Sequence, residues 1–315
     1  MECAISMVST YTPPIAATQS SLSLVDRATI EQRVKRCILM PSLRSIDHAL
    51  RGLLNSDQCY TQQISEIIRR DPSLTTRLLR LVNSVYYGRT TPISSVEEAV
   101  FYLGVRQIRQ LATVTPVIED FQRFAGNTPF PWREFWQYCI GVAIMTREVI
   151  SCVLVPADDS DYLAGLVHDM GKIVMAATFP DHFMEINRCA AMHHRPLVEI
   201  EAEVLGMTHT ELGAIYCQKH KLPDIMIESA LYHHEPERAS HHPKIIAAVQ
   251  IADLLVRHTR IGNSGETSDI TAEIWLNASG WDILFPQSRE SERDIAHAAL
   301  RRSLNRLPSI LQGLT

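Results

Sequence analysis

Ala164-Gly-Leu-Val-His-Asp-Met-Gly-Lys172 places an adjacent histidine and aspartate inside an apolar run, followed by a glycine and a lysine. An imidazole nitrogen and a carboxylate oxygen side by side can take one metal ion together, the two being borderline and hard ligands. The chain holds 13 histidines, most of them between His168 and His258, so candidate partners for the pair follow downstream at wide spacing. What surrounds the stretch decides the fold, and on both sides the apolar residues recur at helical period.

Asp158-Asp159-Ser160-Asp161 reads as the cap of the helix that carries the pair. Beyond it the pattern predicts helices near Pro180–His193, Leu197–Leu205, Thr208–His220, Asp224–His233 and Lys244–His258, then a polar loop from Gly262 to Ser268. Two further helical stretches are expected near Ile270–Ala278 and Arg289–Arg306, the second with a stripe of Ile295, Ala299, Leu300, Leu304 and Leu307 that docks on the body. Upstream, a helix from about Trp132 to Cys152 follows Ala125-Gly-Asn-Thr-Pro-Phe-Pro131, whose two prolines and glycine mark a boundary. Before that boundary, helices are expected near Ala28–Cys37, Ser45–Leu54, Gln62–Arg69, Leu74–Val82 and Arg106–Phe121. Ser94-Ser-Val-Glu97 reads as a capping box. Residues 1–28, rich in Ser, Thr, Ala and Pro, form an irregular leader. Few stretches alternate with period two and the connections are short, so the fold class is all-α.

Composition narrows the function classes. A chain of 315 residues, 46% hydrophobic and 21% charged, has ordinary globular composition and enough length for a sizeable core. The net charge of −5 and the absence of a long basic run count against bulk capture of nucleic acid. Arg106, Arg109 and Arg123 are interspersed with Glu119 and Asp120 and read as a solvated face. No apolar run approaches the roughly 18 residues of a membrane span, and the N-terminus has no export-signal pattern. Seven cysteines without a C-x-x-C pair fit buried thiols in a reducing cytoplasm.

Several segments together resemble the HDOD family, the HD-related output domains. Ile67-Ile-Arg-Arg-Asp-Pro-Ser-Leu-Thr-Thr-Arg-Leu-Leu-Arg-Leu-Val-Asn-Ser84 is similar to its hallmark segment. Ile93-Ser-Ser-Val-Glu-Glu-Ala-Val, Leu103-Gly104, the 164–172 stretch, His209-Thr-Glu-Leu-Gly-Ala214, and Leu222-Pro223 leading to His233-His234 continue the likeness, which covers about residues 35 to 257. The resemblance implies two packed helical lobes: an N-terminal bundle over 29–124 and an HD-like bundle over 132–260. Residues 268–315 add helices that dock on the body. It implies a bacterial regulatory protein of signal transduction, often without catalytic activity. No receiver, kinase or cyclase segment is attached, so the input is expected in trans, from a protein partner or a small ligand or nucleotide.

HD-type phosphohydrolases use ligands in the order His, His-Asp, Asp, and their two-metal HD-GYP relatives add histidines before the last aspartate. The resemblance carries this set onto His168, Asp169, His209, His233, His234 and Asp253, for a divalent Fe, Mn or Zn. Lys172 takes the position of the HD-GYP lysine that lies near phosphate. The first histidine is replaced by Tyr138, and a neutral phenol is a poor ligand beside imidazole. The Gly-Tyr-Pro signature is absent, Lys172 being followed by Ile-Val-Met. The expectation is a non-catalytic regulator; the alternative is a metal-dependent phosphohydrolase acting on a nucleotide or cyclic nucleotide, with Lys172 stabilising phosphate charge. A buried His-Asp pair can also be a plain hydrogen-bonded core element, and Asn83-Ser84 with Tyr86-Tyr87 a packed helix end or a partner surface. His193-His194 and His241-His242 are expected at the surface.

Overall fold

A 20-residue helix, Trp132–Ser151, runs through the middle of the protein with most of its residues buried. In the computed structural model the residues described are 22–37, 82, 93, 95–96, 98–104, 128–153, 160–286 and 290–314. The expected helices over Ser45–Leu54, Gln62–Arg69 and Arg106–Phe121, and the Asn83-Ser84 and Tyr86-Tyr87 candidates, lie outside them.

Twelve α-helices are described in chain order: α1 (Arg27–Arg36), α2 (Trp132–Ser151), α3 (Ser160–Val167), α4 (Met170–Thr178), α5 (Pro180–His193), α6 (Leu197–Val204), α7 (His209–Lys219), α8 (Asp224–Tyr232), α9 (Pro243–His258), α10 (Ala272–Leu276), α11 (Gly280–Leu284) and α12 (Glu290–Leu314). Among the described residues one 3₁₀ turn, Pro236–Arg238, joins α8 to the segment before α9. No strand occurs among the described residues, and the fold is all-α.

Local signals set the helix starts. Proline at the first helical position opens α5 and α9, where its missing N–H costs nothing and its fixed φ suits the helix. Thr208 caps α7 in a complete capping box with Glu211, satisfying two amides that would otherwise lack partners. Asp26 caps α1 through the Thr29 amide.

Packing then gathers the elements around α2. Helices α3, α9 and α12 pack on it, α4 and α8 pack on α7, and α11 packs on α9. The α4–α7 crossing is unusually close. A Cβ on Gly171 would overlap the His209 carbonyl and lie 2.9 Å from the Gly213 nitrogen. Glycine is therefore required there by lack of space, and the close approach brings the start of α7 against the start of α4.

Two details differ from the sequence pattern. Helix α12 continues through Pro308 to Leu314, because Leu307 and Leu311 bury on either side of the proline. Its buried stripe is Ala296, Leu300, Leu304, Leu307 and Leu311, while Ile295 is 69% exposed. Among the described residues, no helix is long and apolar enough to cross a membrane.

Candidate metal centre

The apolar run that carries His168 and Asp169 is not one helix. α3 ends at Val167 and α4 begins at Met170, so the pair forms the turn between them. The turn directs both side chains inward, where they meet groups from α2, α7, α9 and the end of α8. His168, Asp169, Lys172, His209, His233 and Asp253 are all at most 2% exposed.

Three imidazoles are fixed through Nδ1. His168 Nδ1 donates to the Gly165 carbonyl at 2.8 Å, and His233 Nδ1 donates to the Ser229 carbonyl at 2.9 Å. His209 Nδ1 donates to Glu201 at 2.8 Å, and the same carboxylate accepts the His209 backbone amide at 2.8 Å. With Nδ1 committed as donor, Nε2 of each ring is the atom left to face the centre. His209 Nε2 lies 3.1 Å from Asp169 Oδ1 but is not aligned with it as a hydrogen bond. His233 Nε2 lies 3.5 Å from the same oxygen. His234 stacks on His233 with ring centroids 4.0 Å apart, and its buried Nε2 has no partner.

The other Asp169 oxygen, Oδ2, accepts Lys172 Nζ at 2.7 Å, and Lys172 also donates to the Ser264 carbonyl at 2.9 Å. Tyr138 closes the α2 side. Its hydroxyl donates to Asp253 Oδ1 at 2.5 Å and stands 3.0 Å from His168 Nε2.

The protonation states follow from burial and neighbours. Burial pushes the His168 pKa down to about 4, against the pull of Asp169, so this ring is neutral near pH 7. Burial, with His233 and His209 nearby, also lowers His234. His209 goes the other way, to about 9, because the Glu201 charge outweighs the burial penalty. Burial alone would raise Asp169, but Lys172 and His168 hold it well below the usual carboxylate range. Lys172 stays above its usual value because Asp169 more than offsets burial. Burial and the Asp253 charge raise Tyr138, so it stays a neutral phenol.

This donor set fits a divalent cation. Asp169 Oδ1 and the Nε2 atoms of His209, His233 and His234 are buried without hydrogen-bond partners. Ligand atoms of His209, His233 and His234 lie within 4.8 Å of one another, as do those of His168, Asp169 and His233. A carboxylate behind a metal-facing imidazole, as Glu201 stands behind His209, orients the ring and raises its basicity. The carboxylates of Asp169, Asp253, Glu201 and Glu266 gather around Lys172 and Arg257, and His209, raised to about 9 beside Glu201, would release a proton when its Nε2 takes an ion.

The structure thus brings His168, Asp169, Lys172, His209, His233, His234, Asp253 and Tyr138 together. It leaves His193, His194 and His241 exposed and away from the cluster, and His241 instead pairs with Glu228. Glu201, Arg257, Ser264 and Glu266 were not singled out by the sequence reading. Glu201 had a usable signal: it falls on the apolar face of α6 with Leu197, Ile200 and Val204, where a carboxylate needs a partner. Arg257 sits one turn after Asp253.

The model of the HDOD domain matches residues 40–236. The chain belongs to the HDOD family. The match stops short of Asp253 and Arg257, so α9 completes the HDOD cluster from beyond it. An uncharacterized protein of Treponema pallidum (strain Nichols) is 25% identical over 234 residues, 73% of this chain and 44% of that protein. The chain therefore spans less than half the length of the curated relative it matches. Among solved structures, an HDOD domain protein of unknown function from Geobacter sulfurreducens superposes with a TM-score of 0.76 at 22% identity, covering 92% of this chain and 99% of the other. A signal transduction protein, provisionally so named, from Marinobacter aquaeolei VT8 gives 0.63 at 21% identity over 94% and 62% of the two chains. A provisionally named phosphohydrolase from Shewanella amazonensis SB2B gives 0.60 at 20% identity over 91% and 97%. At these identities the likeness shows the shared all-helical HDOD fold.

Proposed function

We propose that this HDOD protein is a non-catalytic regulator of signal transduction in the cytoplasm. It holds a divalent cation (Fe, Mn or Zn) in the His/Asp cluster and answers to a protein partner or a small ligand. His168, Asp169, His209, His233, His234 and Asp253 are the metal ligands in this reading. The N-terminal bundle over 29–124 and the HD-like bundle over 132–260 act as one helical scaffold behind a leader, 1–28, with the 268–315 helices docked on it. The Marinobacter relative's signal-transduction name supports the regulatory class.

The observation that carries the reading is the Tyr138 hydroxyl, hydrogen-bonded to Asp253 and 3.0 Å from His168. It stands where HD phosphohydrolases keep a ligand, and it ties up two of the remaining ligand side chains. Lys172 supports the same reading. Its ammonium is 2% exposed and spent on Asp169 and the Ser264 carbonyl, so it is not presented to a phosphate.

The second reading, a metal-dependent phosphohydrolase, is favoured by the unpartnered Nε2 atoms of His209, His233 and His234 and by the name of the Shewanella relative. A divalent ion there supplies Lewis acidity toward water or a phosphate oxygen. In that case Lys172 must leave Asp169 to stabilise phosphate charge.

Metal analysis of protein purified without chelator, joined to a nucleotide and cyclic-dinucleotide hydrolysis panel, separates the two. The regulatory reading expects bound metal, lost in Asp169→Ala, with no turnover. Turnover by the wild type that vanishes in Asp169→Ala overturns it.

A further inference from the structure

Beside Tyr138 lies a half-open cavity of about 680 Å³, walled by α2, the end of α9 and the loop after it. That volume falls within the range of small-molecule sites. The loop is tied down nearly residue by residue. Asn263 N donates to the Glu134 carbonyl of α2 at 3.0 Å, and the Ser264 carbonyl accepts Lys172 of α4 at 2.9 Å. Glu266 accepts the Leu197 amide of α6 at 3.2 Å, Thr267 Oγ1 donates to the Ala190 carbonyl of α5 at 2.6 Å, and Ser268 Oγ accepts Arg257 of α9 at 3.1 Å. Gly262, at φ +69°, lets the loop pass so close to α2 that a Cβ would lie 2.5 Å from the Tyr138 nitrogen. A wall fixed by five different helices needs little ordering when a ligand enters.

Arg257 is the least satisfied charge in that wall. Its guanidinium has five N–H donors, yet its hydrogen bond among the described residues is the one to Ser268. Asp253 at 3.6 Å and Glu266 at 3.7 Å are beyond hydrogen-bond contact with it, although both hold its charge in place. At the rim, Arg260 and Asp269 pair with each other at 2.8 Å and are about 80% exposed, so they neutralise one another. The free donors of Arg257 therefore set the chemistry of the cavity.

We infer that this cavity binds a small oxyanion, a phosphate or carboxylate on a molecule up to about nucleoside-monophosphate size, held by Arg257. The planar guanidinium fork matches either group bidentately, and Ser264, Thr267 and Ser268 supply further polar contacts along the wall. The inference names a ligand class for the regulatory reading proposed above. Tyr138 lines this cavity and also contacts His168 and Asp253, so it borders both the cavity and the cluster.

The test is calorimetric titration of the full chain in chelator-containing buffer with AMP, GMP, inorganic phosphate and citrate. Chelation keeps a failed titration distinct from a failed metal analysis. Saturable one-to-one binding by at least one probe is expected, with the nucleotides and phosphate marking a phosphate ligand and citrate a carboxylate. Arg257→Gln should weaken that binding about tenfold or more. Arg260→Glu, at an exposed position that does not threaten folding, should weaken it several-fold through the rim charge. Binding by none of the four probes overturns the inference, and so does binding that neither substitution changes.

Discussion

Gly171→Ala is the most discriminating substitution because it tests the α4–α7 crossing that assembles the cluster. The added Cβ would lie 2.7 Å from the His209 carbonyl carbon and 2.9 Å from the Gly213 nitrogen, besides overlapping the His209 carbonyl oxygen. Ordinary contact needs about 3.5 Å, so the two helices must part by several tenths of an ångström or more. The opposing atoms are backbone, with no rotamer to escape into. Overpacking of this kind costs about 3 kcal/mol or more, and alanine returns about 1 kcal/mol of helix propensity. The net loss is therefore about 2 kcal/mol or more. Gly213→Ala is the control on the facing helix. Its Cβ meets the Ala230 methyl at 3.1 Å and the Gly171 nitrogen at 3.3 Å, so its net cost should be under about 1 kcal/mol. Urea denaturation followed by circular dichroism gives both values. Because His209 begins α7 and Asp169 immediately precedes α4, parting them should also lower metal retention, by about ten- to a hundredfold if it acts like other losses of ligand support. A Gly171→Ala protein as stable as the wild type, or no less stable than Gly213→Ala, would refute the crossing as the constraint.

Tyr138→Phe leaves the Asp253 oxygen and His168 Nε2 without their shared hydroxyl, and should cost about 1–3 kcal/mol by denaturation. Tyr138→His should instead raise the metal-to-protein ratio measured by mass spectrometry, since imidazole is the better ligand. Lys172→Met strips Asp169 of its 2.7 Å partner, and in chelated protein should destabilise by about 3–5 kcal/mol, the range for breaking a buried ion pair. Glu228 holds the strand-free segment before α9 by accepting the amides of Ser240, His241 and His242. Burial works against its ionised form, but these amides lower its pKa from 4.5 to about 2. A lowered carboxyl pKa contributes stability above pH 4.5 that drains away as pH falls toward 2. Glu228→Gln should therefore lose stability at pH 7 and show a flatter acid limb than the wild type in the same denaturation series.

Much of the fold was legible because its helix boundaries carry chemistry. Pro180, Pro243 and the Thr208/Glu211 box fix the starts of α5, α9 and α7 by local rules, and those helices begin within a residue of the sequence pattern. The break between α3 and α4 was not legible, since the apolar period continues through it and no proline marks the turn. α11 spans five residues, too short for a periodic signal. In α12 the stripe was read one residue off at Ile295, because Ala296 has too little side chain to stand out as core. The order of candidate ligands could be read from the chain, but the partners behind them could not. Glu201 reaches His209 across an interhelical turn, and the 262–268 loop, polar and glycine-containing, looked like a plain connector. Its role depends on groups from five helices meeting it in space, which no local pattern encodes.

Tyr138 also has a genetic meaning. Tyrosine and histidine codons differ only in their first base, so the imidazole that HD phosphohydrolases carry at this point is one transition away. A growing culture samples Tyr138→His spontaneously at every generation. A screen for raised metal content, applied to cells carrying this chain, can therefore reach that variant without designed mutagenesis. The hydroxyl that contacts Asp253 and His168 thus stands a single base change from an imidazole at the same point of α2.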